Sequence, residues 1–223
     1  MRPPPGFASP QARRRFSAEI MAGAAAMKVA LGDEVADRLV EYLALLHKWN
    51  AAYNLTAVRD PEQMVVRLVL DSLSIVPSVQ GVRVLDIGSG AGLPGVPLAL
   101  ARPELAVTLL DSNRKKTRFL LQAAGELGLA MVSVAAQRVE DHVPTQLYDC
   151  VMSRAFSSLA EFATLAARLC RPGGLLLAMK GRYPGDEIAA IPAGWEFAGS
   201  EELHVPGLDA QRYLIRLIRQ PHD

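Results

Sequence analysis

A glycine-rich run directly follows a short apolar segment near the middle of the chain. Four of the eight residues after Ile87 are glycine, namely Gly88, Gly90, Gly92 and Gly95. Glycine adopts positive φ without steric cost and lets a ligand approach the backbone closely. A plain connection between a strand and a helix needs one glycine, so this density predicts a ligand-binding loop. Loops of this kind lie at the carboxyl end of a buried strand in open α/β sheets, which constrains the fold strongly.

Two classes of ligand compete for this loop. The stretch from Gly90 to Gly95 matches the dinucleotide pattern G-x-G-x-x-G, and Asp111 lies 21 residues beyond Gly90, near the expected ribose-binding acid. Asp86, however, ends the strand just ahead of the first glycine. A carboxylate there repels a pyrophosphate but suits the ammonium and sulfonium of S-adenosylmethionine (SAM). The order of strand, Asp and alternating glycines resembles the loop of class I SAM-dependent methyltransferases, which favours SAM.

Short apolar runs alternate with helical ones from Gly81 onward. Repeated strand–helix–strand units imply parallel strands with right-handed crossovers, and the last two strands, with no long helix between them, imply an antiparallel ending. The predicted fold class is α/β, a class I methyltransferase Rossmann-like, mostly parallel sheet of seven strands with an N-terminal helical cap. The predicted strands are 82–87, 106–110, 131–135, 148–153, 175–179, 201–205 and 213–218, and the helices between the first five are 94–101, 114–127 and 159–169.

The helical cap is predicted from the first 80 residues. Apolar side chains recur at helical spacing from Val35 to Trp49, and Asp60 followed by Pro61 predicts the start of a second helix. Residues 1–16 hold four arginines, four prolines and no acid, which predicts a flexible basic arm. The predicted domains are the arm 1–16, the cap 17–80 and the SAM-binding domain 81–223.

Composition excludes several functional classes. A net charge of +1 over 223 residues excludes a polybasic protein, so any nucleic acid must be bound through local patches such as 114–118. Two cysteines, Cys150 and Cys170, exclude a disulfide scaffold and a four-cysteine zinc site. The four histidines lack the spacing of metal ligands, so no metal is predicted.

No segment predicts insertion into a membrane. The longest uncharged stretch, 87–101, has 15 residues and carries four glycines and two prolines, whereas a span needs about 20 mostly apolar residues. The arginines 13–15 resemble a twin-arginine export signal a little, but Glu19 interrupts the junction with the short apolar run that follows. A reduced, cytoplasmic protein is therefore expected.

The chemistry of the methyl acceptor can be narrowed from motifs. Transfer to cytosine carbon-5 uses a cysteine nucleophile, but Cys150 falls within a predicted strand and Cys170 ends a predicted helix. Amine methylation often uses an Asp/Asn-Pro-Pro-aromatic element after the fourth strand, where this chain has SRAF at 153–156. A ring nitrogen with a free lone pair, such as guanine N7, needs no strong base. The sequence fits an acceptor of that kind.

Four segments carry a family resemblance: HKWNAAYNLTAV at 47–58, GSGAGLPGVPL at 88–98, SRAF at 153–156 and MKG at 179–181. In this order and spacing they closely resemble the RsmG/GidB family, the bacterial methyltransferases of guanine N7 in the 530 loop of 16S ribosomal RNA. The resemblance covers about residues 30–220. It implies SAM as the cofactor and 16S ribosomal RNA or the small ribosomal subunit as the partner, and it requires no oligomer.

The resemblance also implies site residues. Together with the loop analysis, it gives the predicted SAM contacts Asp86, Gly88, Gly90, Gly92, Leu93, Asp111, Val139, Glu140 and Arg154. For the acceptor it points to Asn54, Arg138, Lys180 and Arg212. Leu68 and Tyr213 depart from the family pattern, which often has histidine at these two positions.

Several of these assignments have plainer alternatives. Asp111 is also placed to cap the helix that begins at 114, Asn54 to cap a turn, and Arg212 to be a solvated charge on an edge strand. Arg154 and Lys180 are the candidates for shaping the reaction, with no general base required.

Three other functions stay open on the sequence alone. They are SAM-dependent methylation of a small molecule or protein, a non-catalytic SAM- or nucleotide-binding regulator, and an NAD-dependent oxidoreductase. The sequence leaves open whether naked RNA or an assembled particle is the substrate, and which oligomeric state the protein adopts.

Overall fold

The computed structural model describes residues 6–154, 156 and 158–221 of the chain. Among these residues no helix combines the length and apolar character that crossing a membrane requires. The helices are α1 (Pro10–Ala26), α2 (Asp33–Tyr53), α3 (Pro61–Met64), α4 (Asp71–Leu73), α5 (Gly95–Ala101), α6 (Arg114–Glu126), α7 (Leu159–Ala166) and α8 (Gly185–Ala189), with a π-helical turn at Val65–Leu70 and 3-10 turns at Val76–Ser78 and Val139–Asp141. The strands are β1 (Arg83–Ile87), β2 (Ala106–Leu110), β3 (Val132–Ala135), β4 (Tyr148–Ser153), β5 (Cys170–Lys180), β6 (Trp195–Glu202) and β7 (Tyr213–Arg219).

In this part of the chain the seven strands form one sheet in the order β3-β2-β1-β4-β5-β7-β6. The first five strands pair in parallel, and β7 runs antiparallel to both β5 and β6. The strand order reverses between β1 and β4, so the connections after these two strands leave in opposite directions and open a crevice at their carboxyl ends. The predicted seven-stranded, mostly parallel sheet is confirmed.

Two strands differ from the prediction by more than one residue at an end. The sixth strand, β6, starts at Trp195 and ends at Glu202, so the predicted segment 201–205 begins six residues late and reaches past its end, where Leu203 and Val205 are buried against the core. The fifth strand starts at Cys170, five residues before the predicted start. An irregularity in the β4–β5 register allows the Pro-Gly-Gly stretch to be part of the strand.

The predicted flexible arm is wrong for the residues from Phe7 onward. Ser9 caps α1, because its side chain accepts a hydrogen bond from the Ala12 amide. Phe7 and Phe16 are fully buried, with ring centroids 5.2 Å apart. Burial of two aromatic rings offsets the entropy that ordering this segment costs. Residues 1–5 of the predicted arm lie outside the described residues.

The predicted second helix of the cap begins with Asp60, whose carboxylate accepts the Gln63 amide at 2.9 Å, followed by Pro61. It continues through the π-helical turn before α4 begins at Asp71. A π-helical turn inserts an extra residue and changes which side chains face the core, and such turns are frequent at functional sites. Here the turn lies directly before Asp71, which is the one buried acid of this helical segment.

The sheet separates two hydrophobic clusters. One joins the cap to α5 and α6 on one face, and the other packs α7 on the opposite face. The cap therefore shares its core with the sheet. Cys150 and Cys170 are free and buried, and burial raises the pKa of both thiols, that of Cys170 to about 12. The interpretation of the cysteines as core residues is confirmed.

Asp149 ties the start of β1 to the start of β5. Its carboxylate accepts the Val82 and Arg83 amides at 2.9 Å each and the Arg171 guanidinium at 2.6 Å. Partial burial raises its pKa, but the hydrogen bonds outweigh burial and lower the pKa from 3.8 to about 2. Protons therefore bind more tightly to the unfolded chain, so this stabilisation is present above pH 4 and is lost as the pH falls toward 2.

We expect Asp149→Asn to lose about 2 kcal/mol of unfolding free energy at neutral pH, because the charge-assisted bonds are weakened. Urea unfolding measured across the acid range checks this, since the variant should lose less stability than the wild type between pH 4 and pH 2. Asp209→Asn, at an exposed loop residue, is the control. Parallel pH profiles of wild type and Asp149→Asn would contradict the prediction.

Candidate active site

The glycine loop connects β1 to α5 at the carboxyl edge of the sheet. Gly88 has φ of +69°, and a Cβ at that position would have no atom within 4 Å, so its backbone faces open space. At Gly95 a Cβ would lie 2.7 Å from the Asp86 carboxylate, so no larger residue fits there. The loop is therefore packed tightly below and open above.

Asp86 lies beneath the loop. It is fully buried, and its Oδ2 accepts the Gly95 amide at 2.9 Å. Its Oδ1 is buried and has no hydrogen-bond partner among the described residues. Burial raises its pKa to about 7, against the opposing effect of the Gly95 hydrogen bond. A buried carboxylate with a free acceptor fits a nearby cationic ligand better than an anionic one.

Asp111 joins the end of β2 to the glycine loop. Its Oδ2 accepts the Gly90 amide at 2.9 Å, and its Oδ1 accepts the Asn113 amide at 2.8 Å. The alternative that Asp111 caps α6 is wrong, because Asn113 occupies that position and accepts the Lys115 amide at 2.9 Å. Its Oδ2 also lies 3.8 Å from Lys116 Nζ, so Asp111 ties the glycine loop to α6.

A cavity of about 350 Å³ opens above Gly88, and we name it the glycine-loop cavity. Its walls come from the ends of β1 and β2, the 3-10 turn after β3, the loop after β4, and α7. Arg168 holds the 3-10 turn in place by donating to the Val139 and His142 carbonyls. The lining residues are Ile87, Gly88, Leu110, Asp111, Ser112, Lys116, Gln137, Arg138, Val139, Glu140, Phe156, Glu161 and Leu165.

The predicted SAM contacts divide into two groups. Gly88, Asp111, Val139 and Glu140 line the glycine-loop cavity. The others do not: Asp86 is buried below the loop, Leu93 is a buried residue within it, Gly90 and Gly92 shape its turn, and Arg154 lies at a different pocket. Arg138, predicted to contact the acceptor, lines the glycine-loop cavity instead, because the 3-10 turn carries it to the end of β3.

A second pocket, of about 390 Å³, lies where the cap meets the ends of β4 and β5, and we name it the arginine pocket. At its base Asp71, only 1% exposed, accepts Arg212 Nε at 2.9 Å and Arg154 Nη1 at 3.4 Å. Three elements distant in sequence thus meet on one carboxylate. The lining residues are Thr56, Val58, Arg67, Leu68, Asp71, Arg154, Met179, Lys180, Gly181 and Arg212.

Lys180 connects the two spaces. Its Nζ donates to Glu187 Oε2 at 2.8 Å and to the Phe156 carbonyl at 3.3 Å. Glu187 also accepts the Leu159 amide, at the first turn of α7, at 2.6 Å. Because Phe156 lines the glycine-loop cavity and Lys180 lines the arginine pocket, these two bonded residues form a wall shared by both.

We expect Glu187→Ala to lower kcat about tenfold, because Lys180 and the loop after β4 lose the carboxylate that holds them together. Glu187→Gln keeps an acceptor oxygen and should recover part of the loss. Asp186→Asn, an exposed neighbour on α8, is the matched control. Steady-state kinetics with separate KM and kcat values checks the prediction, and an Ala variant with wild-type kcat would contradict it.

Asn54 lies away from the arginine pocket's lining. It ends α2 in the left-handed conformation, with φ of +49°, and its side chain accepts Arg59 Nη2 at 2.7 Å. Its position at the end of α2 agrees with the plainer alternative, in which Asn54 caps a turn. Leu68, one of the departures from the family pattern, is buried in the wall of the arginine pocket, while Tyr213 contacts Tyr183 with ring centroids 5.7 Å apart.

Sequence analysis missed Asp71 and Glu187. Asp71 had one available signal, since it is an acid within the apolar helical run that follows Asp60. A buried acid needs a partner, but the sequence does not say which cation it meets. Within the described residues no group of three potential metal ligands forms a site.

The strand order, the glycine loop after β1 and the acid after β2 define a class I SAM-dependent methyltransferase. Solved structures share this fold: an N-methyltransferase NodS from Bradyrhizobium japonicum in complex with S-adenosyl-L-homocysteine has a TM-score of 0.53 at 16% identity, over 81% of this chain and 98% of that one. TrmN from Thermus thermophilus has a TM-score of 0.56 at 20% identity, over 76% of this chain and 53% of that one.

The particular family follows from sequence comparison. The family model described as "GidB: rRNA small subunit methyltransferase G" matches residues 36–215, so the chain belongs to this family. The protein named ribosomal RNA small subunit methyltransferase G of Nitrosococcus oceani is 54% identical over 179 residues, which are 80% of this chain and 84% of that protein. The protein of the same name in Marinobacter nauticus is 50% identical over 205 residues, which are 92% of this chain and 96% of that protein. The predicted family and the SAM cofactor are confirmed.

Proposed function

We propose that this protein transfers the methyl group of SAM to N7 of a guanine in the 530 loop of 16S ribosomal RNA, in the cytoplasm. The observation that carries the proposal is the arginine pocket beside the glycine-loop cavity, in which Arg154 and Arg212 meet on the buried Asp71. Two guanidinium groups on one carboxylate leave a net positive charge. Such a pocket suits an anionic or acceptor-rich ligand, as a nucleotide is.

The glycine-loop cavity fits SAM on the chemistry of its walls. Asp111 presents a carboxylate for the two ribose hydroxyls, and Val139 presents an apolar surface for the adenine. The orphan oxygen of Asp86 is an acceptor below the loop, and a cationic ligand above it would favour the ionised carboxylate. When bound, SAM supplies an activated methyl group on its sulfonium.

The protein's own part in the reaction is positioning. Guanine N7 has a free lone pair, so no residue has to remove a proton from it before transfer. Arg154 and Arg212 can donate to the guanine edge or to a flanking phosphate, and Asp71 fixes their orientation. The wall between the two spaces is held by Lys180 and Glu187, and it keeps the guanine and the methyl group of SAM aligned.

An RNA loop is the substrate that such a site requires. A guanine must leave its stack to enter a pocket, and unpaired loops offer bases in that state. The chain's net charge is only +1, so phosphates must be bound at local clusters of cations. Affinity should therefore fall steeply as salt is raised.

The experiment is to map the methylated nucleotide. Purified protein and tritiated SAM are incubated with small ribosomal subunits and with naked 16S RNA, in parallel with RNA from cells that lack the protein. The proposal expects label at one guanine N7 in the 530 loop and loss of that modification in the deficient cells. Label elsewhere, or SAM binding without transfer to either RNA, would overturn it.

A further inference from the structure

An exposed aromatic pair lies at the carboxyl end of α2. Tyr53 is 42% exposed, and its ring stacks on Trp49 with centroids 5.2 Å apart and an interplanar angle of 30°. Trp49 in turn packs edge-on against Phe119 of α6 at 5.7 Å, and Phe119 is fully buried. We name Tyr53 and Trp49 the aromatic ledge. The outer ring is thus supported by two others that reach the core, so it is held in place while Tyr53 stays partly exposed to solvent.

The two sequence segments that carry the aromatic ledge and its support contain positive charges but no negative ones. No acidic residue occurs from Tyr42 to Arg59 on the α2 side or from 112 to 125 on the α6 side. Five exposed cations of these two segments form no ion pair within 4 Å in the part of the chain that the structure describes. They are Lys48, Arg59, Arg114, Lys115 and Arg118.

The aromatic ledge is close in sequence to both functional spaces. Three residues beyond Tyr53, Thr56 lines the arginine pocket. On α6, Lys116 lies three residues before Phe119 and lines the glycine-loop cavity. A lining residue of each space therefore lies three positions along the chain from Tyr53 or Phe119, which keeps the ledge within about 10 Å of backbone from both spaces.

We propose that the aromatic ledge is a stacking site for an unpaired RNA base that neighbours the target guanine, with the surrounding cations binding its phosphates. The inference rests on the proposed function, since it takes RNA as the substrate. An open, rigidly supported aromatic face amid unpaired cations is the combination that single-stranded nucleic acid binds. A solvated tyrosine that only ends a helix would need neither the second ring below it nor the absence of acids from the two segments that carry the ledge and its support.

The test compares Tyr53→Ala, Tyr53→Leu and Tyr53→Phe. The probe is a short oligouridylate carrying one 2-aminopurine, whose fluorescence falls when it stacks on an aromatic ring. We expect the Ala and Leu variants to bind the probe about tenfold more weakly and to lose the quenching, whereas the Phe variant behaves like the wild type. Phe197→Ala is the matched control, because Phe197 is 40% exposed but lies on β6, at the opposite edge of the sheet from α6.

Kinetics on small ribosomal subunits separates stacking from structural damage. The Ala and Leu variants should raise KM for the subunit while kcat and SAM affinity stay at wild-type values. A Leu variant that binds the probe like the wild type, or wild-type protein that does not quench the probe, would overturn the inference. The proposed function is judged separately by the mapped nucleotide: methylation at the 530 loop with an unaffected Tyr53→Ala variant refutes only the ledge.

Discussion

Replacing Asp71 with asparagine should remove most methyl transfer, and we expect kcat/KM on small ribosomal subunits to fall about 100-fold. Asp71 is 1% exposed and neutralises part of the charge of Arg154 and Arg212. Without the carboxylate, two guanidinium groups repel each other and lose the acceptor that orients them. Removing one partner of a buried ion pair costs about 3 kcal/mol, so the free energy of unfolding should fall as well.

Two comparisons separate the effect on the reaction from the effect on folding. The double variant Asp71→Asn with Arg212→Gln removes one of the two guanidinium groups that repel each other. It should therefore regain stability in urea unfolding without regaining activity. SAM affinity should not change in either variant, because Asp71 does not line the glycine-loop cavity. Asp37→Asn, at an exposed position in α2, serves as the control. Wild-type kcat/KM in Asp71→Asn would refute the positioning role.

The part of the site that sequence analysis predicted is local in the chain. The glycines after Ile87, the acid at 86 and the acid at 111 are each fixed by short-range rules, since a strand, a tight turn and a helix start leave little freedom. The parallel direction of the first five strands and the antiparallel ending could be predicted from the presence or absence of helices between them. The exact contacts of Asp86 could not, because its burial depends on how α5 packs over the loop.

The arginine pocket depends on contacts that no local pattern encodes. Asp71 is 83 residues from Arg154 and 141 residues from Arg212. The π-helical turn decides which side of the second cap helix carries Asp71 inward, and apolar periodicity does not reveal such a turn. Glu187 was missed for a similar reason, since α8 is five residues long and follows a segment without periodicity.

The arm shows how composition can mislead. Arginines and prolines near the N-terminus predicted flexibility, yet Phe7 and Phe16 insert into the cap and order the segment from residue 6. Two aromatic residues outweigh the charge pattern because burial of a large ring contributes more than a solvated arginine costs. Periodicity over α1 was weak because alanine and glycine fill much of its buried face.

Replacing Asp111 with alanine should weaken SAM binding about 100-fold, or about 3 kcal/mol. The carboxylate holds the glycine loop through the Gly90 amide and the start of α6 through the Asn113 amide, and Asp111 lines the cavity. The variant loses both the acceptor for the ribose hydroxyls and the tie that shapes the loop. Asp111→Asn keeps one acceptor oxygen, so its SAM affinity should lie between that of Asp111→Ala and that of the wild type.

Calorimetry with SAM measures the loss, and Asp209→Ala, at an exposed loop residue, is the control. Because Asp111 has no place in the arginine pocket, RNA affinity should stay at the wild-type value while SAM affinity falls. This separates it from Asp71→Asn, in which SAM affinity is kept and transfer is lost. If Asp111→Ala bound SAM as the wild type does, the cofactor would have to lie elsewhere, and the assignment of the two spaces would have to be reversed or abandoned.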